Sequence, residues 1–173
     1  MNFIERAFEQ GKEENKENKE DKLSNLVKEL GEKLQREGVP VDKNCRVDMD
    51  YFGDVYPLKI IEKDKEIVRR WEKKWFGDWP AEEIERRKSE KQGFKLEAIK
   101  TLIFYKFIGK EFLVVRTSPY DDIENKIDNL ILEKKTGSPV CAYDEVVGGR
   151  KMFEAKKEKV LEENKQGGVG LKY

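Results

Sequence analysis

Histidine does not occur in this chain, and cysteine occurs only twice, at Cys45 and Cys141. These scarcities remove whole classes of chemistry. A Ser-His or Cys-His triad cannot be built, and a zinc site is short of its usual nitrogen and sulfur ligands. The two cysteines lie far apart, and Cys141 falls in an apolar run that reads as a buried strand, so a core residue and a free thiol are expected, not a disulfide. No stretch approaches the roughly 18 apolar residues of a membrane span. Met1 to Arg6 leads into no signal-peptide h-region. The expected setting is reducing and cytoplasmic, without membrane contact. An excess of one charge is missing too. The 36 basic and 36 acidic side chains cancel over 173 residues, so no global field draws the molecule to nucleic acid. Any such contact must come from a local basic face. Carboxylates, lysines and tyrosines remain for chemistry.

Charged residues make up 42% of the chain, but three short apolar runs stand close together between Glu111 and Val147. They are EFLVVRTS, LILEKK and PVCAYDEVV, rich in Val, Ile and Leu and separated by loop chemistry, which predicts three consecutive strands. A tight connection at Thr136-Gly137-Ser138-Pro139 makes the second and third an antiparallel hairpin. An apolar helix, buried on most sides over Phe94 to Ile108, is expected before them (Ser89 to Ile108) and an amphipathic one after (Arg150 to Gln166). The alternation Val169, Leu171, Tyr173 reads as a fourth strand.

The remainder divides into a helical appendage at 1–38 and a helical or irregular connecting region at 39–88, with the core at 89–173. Within the appendage, Gly11 to Lys22 is a solvated charged run. Leu23, Leu26, Val27, Leu30 and Leu34 then recur at helical spacing until Gly38-Val39-Pro40. Such a stripe packs on a domain or on a second copy of the chain, so a homodimer is one expectation. Asp48-x-Asp50 has a superficial likeness to a calcium loop. Phe52 and Lys59 stand where oxygen ligands belong, which rejects it. Lys63 to Phe76 reads as a helix carrying Trp71 and Trp75, with Trp79 after its end. The three tryptophans read as glue between helices ahead of a stacking platform for bases. Arg86, Arg87 and Lys88 form a local basic cluster, a candidate for phosphate contact beside the plainer reading of an exposed helix surface.

The acids carry the functional expectation. Asp128 opens the second strand, while Asp144 and Glu145 end the third. In an antiparallel hairpin these places share one end of the ladder, within reach of one divalent cation. Period-two alternation sends Asp144 and Glu145 to opposite faces, so one of them at most is a direct ligand. Glu97, inside the apolar Phe94 to Ile108 helix, needs a metal, an exit to solvent, or a cation such as Lys100 or Arg116. Asp121 and Asp122 read as loop caps that could add a ligand.

Gly93-x-x-x-Glu97-Ala98, Ile127-Asp128-Asn129-Leu130-Ile131, Tyr143-Asp144-Glu145-Val146-Val147 and Gly167-Gly168-Val169-Gly170-Leu171 occur in that order. With them the chain from Gln92 to Tyr173 resembles the PD-(D/E)XK nuclease superfamily, in particular its Holliday-junction-resolvase-like branch. The resemblance implies an α/β fold (a mixed α+β sheet) with a restriction-endonuclease-like αβββαβ core. It also implies Mg²⁺ or Mn²⁺ on Asp128 and Asp144 or Glu145, with Glu97 reached through water, and hydrolysis of DNA or RNA phosphodiesters. The family lysine is absent: Val146 or Val147 occupies its place. Lys151 or Arg150, just past Gly148-Gly149, could stand in for it, with Arg150 also a candidate for nucleic-acid contact. The same departure supports the alternative of a nuclease fold without activity, serving as a binding or structural module.

Overall fold

The computed structural model describes residues 22–144, 149–165 and 170–173, apart from the side chains of 163 and 164. It is a mixed α+β structure. Helix α1 covers 22–36, and a 3-10 segment follows at Met49–Asp54. Next come α2 (Leu58–Phe76), α3 (Ala81–Glu90) and α4 (Gln92–Ile108), then β1 (Phe112–Arg116), β2 (Asn129–Glu133), β3 (Pro139–Tyr143) and α5 (Arg150–Lys165). The three strands form one antiparallel sheet in the order β1-β2-β3.

Local chemistry explains the boundaries. α1 ends in a Schellman motif: Gly38 takes φ +81°, and Val39 N–H and Gly38 N–H reach Leu34 O and Gln35 O at 3.0 Å each. That left-handed position suits glycine. Gly31 is required for a different reason, since a Cβ there would stand 2.8 Å from the carbonyl oxygen of Asp42. Lys73 and Lys74 occupy the last turn of α2 and complement its dipole before Gly77 closes it. An extended Lys91 separates α3 from α4, where the sequence suggests a helix running unbroken from Ser89.

The leucine stripe of α1 packs into the sheet. Val27, Leu30 and Leu34 share one core with Val41, Cys45, Met49, Ile61, Ala98, and the paired Val115 and Leu130. Residues 22–36 are thus part of the same core as the sheet, whereas Leu26 of the stripe stays exposed.

Three expectations are corrected here. β3 is an exposed edge strand, so Cys141 is exposed and Cys45 is the buried thiol. α4 is not enclosed: Ile99, Ile103 and Phe107 lie exposed on its outer side. Gly170 to Tyr173 form no strand. Instead, the backbone N–H groups of Lys172 and Tyr173 donate to Asp121 at 2.8 and 3.1 Å, and the Tyr173 hydroxyl donates to Asp64 at 2.6 Å. Side-chain acceptors hold this segment where a partner strand was expected.

Candidate active site

Arg116, Asn129 and Tyr143 are paired across the three strands and form the last rung of the sheet. Helix α4 lies along that rung. Its residues Glu97, Thr101 and Phe104, spaced four and three apart, present one helical stripe. Glu97 accepts from Arg116, Thr101 Oγ1 meets Asn129 Oδ1 at 2.7 Å, and Phe104 packs edge-on against Tyr143 with ring centroids 5.2 Å apart. Each strand is therefore met by one residue of α4.

This end of the sheet is unusually polar for an interior. Thr101, Arg116, Thr117, Ser118, Asp121 and Asn129 are all buried, and buried polar groups must find partners. The loop after β1 supplies several of them. Asp121 accepts from Ser118 Oγ at 2.7 Å and from Asn125 Nδ2 at 2.6 Å. A single π turn at Asp121–Asn125 and a left-handed Lys126 return the chain to β2.

Two arginines converge on α4. Arg46 donates to Glu97 at 3.2 Å and to Asp122 at 3.0 Å, and Arg116 donates to the same Glu97 oxygen. Phe94 is flanked by both guanidinium groups, 5.6 Å from Arg46 and 4.0 Å from Arg116. Burial draws the Arg46 pKa down, but Asp122 and Glu97 outweigh it and the net shift is upward. For Arg116, burial and the nearby Arg46 charge win over Glu97, and the net shift is downward. Arg116 Nε and Nη1 have no hydrogen-bond partner among the described residues. A buried cation left partly unsatisfied is costly, so Glu97 is the group that makes Arg116 tolerable.

Of the partners expected for Glu97, Arg116 is thus the one it meets. The unforeseen one is Arg46. It lies in the segment least readable from sequence, and the isolated bridge between Arg46 and Arg116 brings it here.

The other expected residues are distributed as follows. Asp128 stands one residue before the rung; its N–H donates to Tyr143 O at 3.2 Å, and its carbonyl accepts from Thr117 N–H at 3.0 Å. Asp144 stands one residue beyond the rung and pairs with Lys156 of α5. Glu145 lies outside the described residues. Arg150 and Lys151 are exposed at the start of α5; the lysine that reaches the acid is Lys156, a turn and a half further on.

Arg86, Arg87 and Lys88 are answered within the helical region. Arg86 pairs with Glu83 and Glu90, Arg87 with Glu83, and Lys88 with Glu72 and Glu85. The two arginines hold the Glu83 carboxyl down at about 2. Among the described residues, no three acidic or thiol side chains gather closely enough to hold a metal ion. No helix of the described residues is long and apolar enough to cross a membrane. No protein-family model, curated protein or solved structure matches this chain.

Proposed function

We propose that the hairpin end bearing Asp128 and Asp144 is a Mg²⁺- or Mn²⁺-dependent site for hydrolysing DNA or RNA phosphodiesters, in a restriction-endonuclease-like core. One observation carries the reading: both acids sit one residue beyond the Asn129–Tyr143 pair, at the same end of the same hairpin. The donor set suits the ion. Mg²⁺ takes one or two protein carboxylates and completes its shell with waters and substrate phosphate oxygens, so Asp128 and Asp144 suffice as a protein contribution, with Glu145 as the competing acid on β3. When bound, the ion supplies charge neutralisation at phosphate and a more acidic water.

The chain's own residues do the rest. Lys156 offers a cation beside Asp144, in the role left vacant by the missing family lysine, and takes precedence over Lys151 and Arg150. Glu97 holds Arg116 and Arg46, and so positions the rung from which Asp128 and Asp144 extend. The test is thermal unfolding with Mg²⁺ or Mn²⁺ added to the wild type and to Asp128→Ala. Selective binding to the folded state stabilises it by mass action, by about 2.7 kcal/mol at a hundredfold excess over Kd, and so raises Tm. The wild type should gain and the variant should not. Equal responses overturn the site.

A specific observation favours a second reading, a nuclease fold that binds or scaffolds without cleaving. Glu97 and Asp144 already have cationic partners in Arg46, Arg116 and Lys156. Cleavage of end-labelled single- and double-stranded DNA and RNA, lost in Asp144→Asn and Lys156→Ala, separates the two. Metal binding without cleavage selects the second.

A further inference from the structure

The last turns of α2 carry four cations, Arg69, Arg70, Lys73 and Lys74. Two are answered: Arg69 by Glu62 and Lys73 by Asp78. The intervening Glu72 is drawn off by Lys88. Arg70 and Lys74 are left, exposed and without an acidic partner among the described residues. They stand one turn apart, on the row beside Ile67, Trp71 and Trp75, which are themselves spaced by four. All of these but Trp75 border an open groove of about 340 Å³, which Glu124 completes.

Trp71 and Trp75 are not enclosed between helices. Trp75 remains 49% exposed, with its ring 5.4 Å from that of Trp71 and tilted by 35°. Trp71 is oriented by its indole N–H, which donates to Glu124 at 3.1 Å. That bond also engages the groove's one carboxylate. Lys74 Nζ lies 4.5 Å over the Trp71 ring, so that cation covers a Trp71 face and the exposed Trp75 ring is the one open to stacking.

Such a surface has a definite complement. Apolar helices would leave Arg70 and Lys74 stranded, and an acidic peptide would leave the exposed indole unused. A single strand of nucleic acid uses both. Its bases stack on aromatic rings without regard to sequence, and its phosphates meet the cations. Duplex bases are already stacked on one another and offer no free face.

We propose that the Trp71–Trp75 face of α2, with Arg70 and Lys74 beside it, binds single-stranded nucleic acid by base stacking and phosphate pairing. The surface is independent of the hairpin acids and needs no metal.

The test is fluorescence anisotropy with a labelled twelve-nucleotide oligothymidylate, with the full chain and EDTA throughout, which separates it from the fate of the metal site. The wild type should bind, with its tryptophan emission quenched, and a duplex of equal length should bind more weakly. Trp75→Ala should weaken binding about tenfold, the scale of one stacked base. Arg70→Gln with Lys74→Gln should flatten the salt dependence by about 1.4 in log–log slope, two phosphates at about 0.7 each. Both sites are exposed, and Trp75→Phe, which keeps a stacking ring, should retain most of the affinity. Binding unchanged by Trp75→Ala or by the double variant overturns the proposal. So does a duplex bound as tightly as the single strand, or no binding at low salt.

Discussion

Arg116 donates through Nη2 to Glu97 from a position with no solvent exposure, while two of its other nitrogens find no partner among the described residues. The pair joins β1 to α4 at the Arg116–Asn129–Tyr143 rung, one residue short of Asp128 and Asp144. Removing Glu97 strands a buried cation. Glu97→Ala should cost about 3–5 kcal/mol, the scale for breaking a buried pair from one side. Replacing both partners, as Glu97→Gln with Arg116→Met, should recover part of that loss. Urea unfolding of Glu97→Gln, Arg116→Met and the double variant gives the coupling directly.

The two thiols should differ sharply. Cys45 is fully buried, its Sγ lies 3.2 Å from Val27 O, and burial pushes its pKa up to about 12. Cys141 is exposed on the edge strand. An aromatic disulfide reagent should titrate one thiol per native chain and a second only on unfolding.

Alkaline stability follows from the same burial. Cys45 and Tyr173 both have raised pKa values, Tyr173 through burial and its bond to Asp64. Above pH about 9 the unfolded chain loses these protons before the folded chain does. The stabilisation is complete below that pH and is lost as pH rises towards 12. Urea midpoints should fall over this range, and less steeply in Cys45→Ala.

The helix at 22–36 should be indispensable. Leu34 is fully buried in the sheet's core, and Leu34→Ala should cost about 2–5 kcal/mol. Gly31→Ala should also destabilise, since the added methyl meets two backbone carbonyls. Deleting residues 1–38 should abolish cooperative unfolding, seen as a broadened thermal transition. A sharp transition at the original temperature would show the helix to be dispensable.

The Asp121 carboxylate should hold the 170–173 segment. It accepts from Ser118, Asn125 and the N–H groups of Lys172 and Tyr173. Asp121→Ala leaves these donors unsatisfied at about 1–3 kcal/mol each where water cannot reach. Amide exchange at Lys172 and Tyr173 should accelerate well ahead of exchange in β2.

Much of this architecture is legible in the sequence alone. The three strands, their hairpin and the helices on either side were readable because apolar runs of strand length and Gly or Pro punctuation are local signals. The positions of Asp128 and Asp144 at one end of the ladder followed from antiparallel pairing alone. Arg46 was not legible as a partner of Glu97, because 51 residues separate them and no periodicity links them. Lys156 was missed because its reach to Asp144 depends on the direction in which α5 leaves the sheet. Cys141 and the outer side of α4 were assigned to the interior from their composition. Whether an apolar face is covered depends on how many layers the chain can stack, and that count is not written in any one segment.

The sequence by itself determined the chemistry on hand and the local elements. Without histidine, carboxylates, lysines and tyrosines were left for chemistry, and short-range patterning set most helix and strand boundaries. The tertiary structure alone decided which charges meet. An ion pair depends on the relative placement of two elements, and that placement is set by the packing of the whole core around Leu34, Val115 and Leu130.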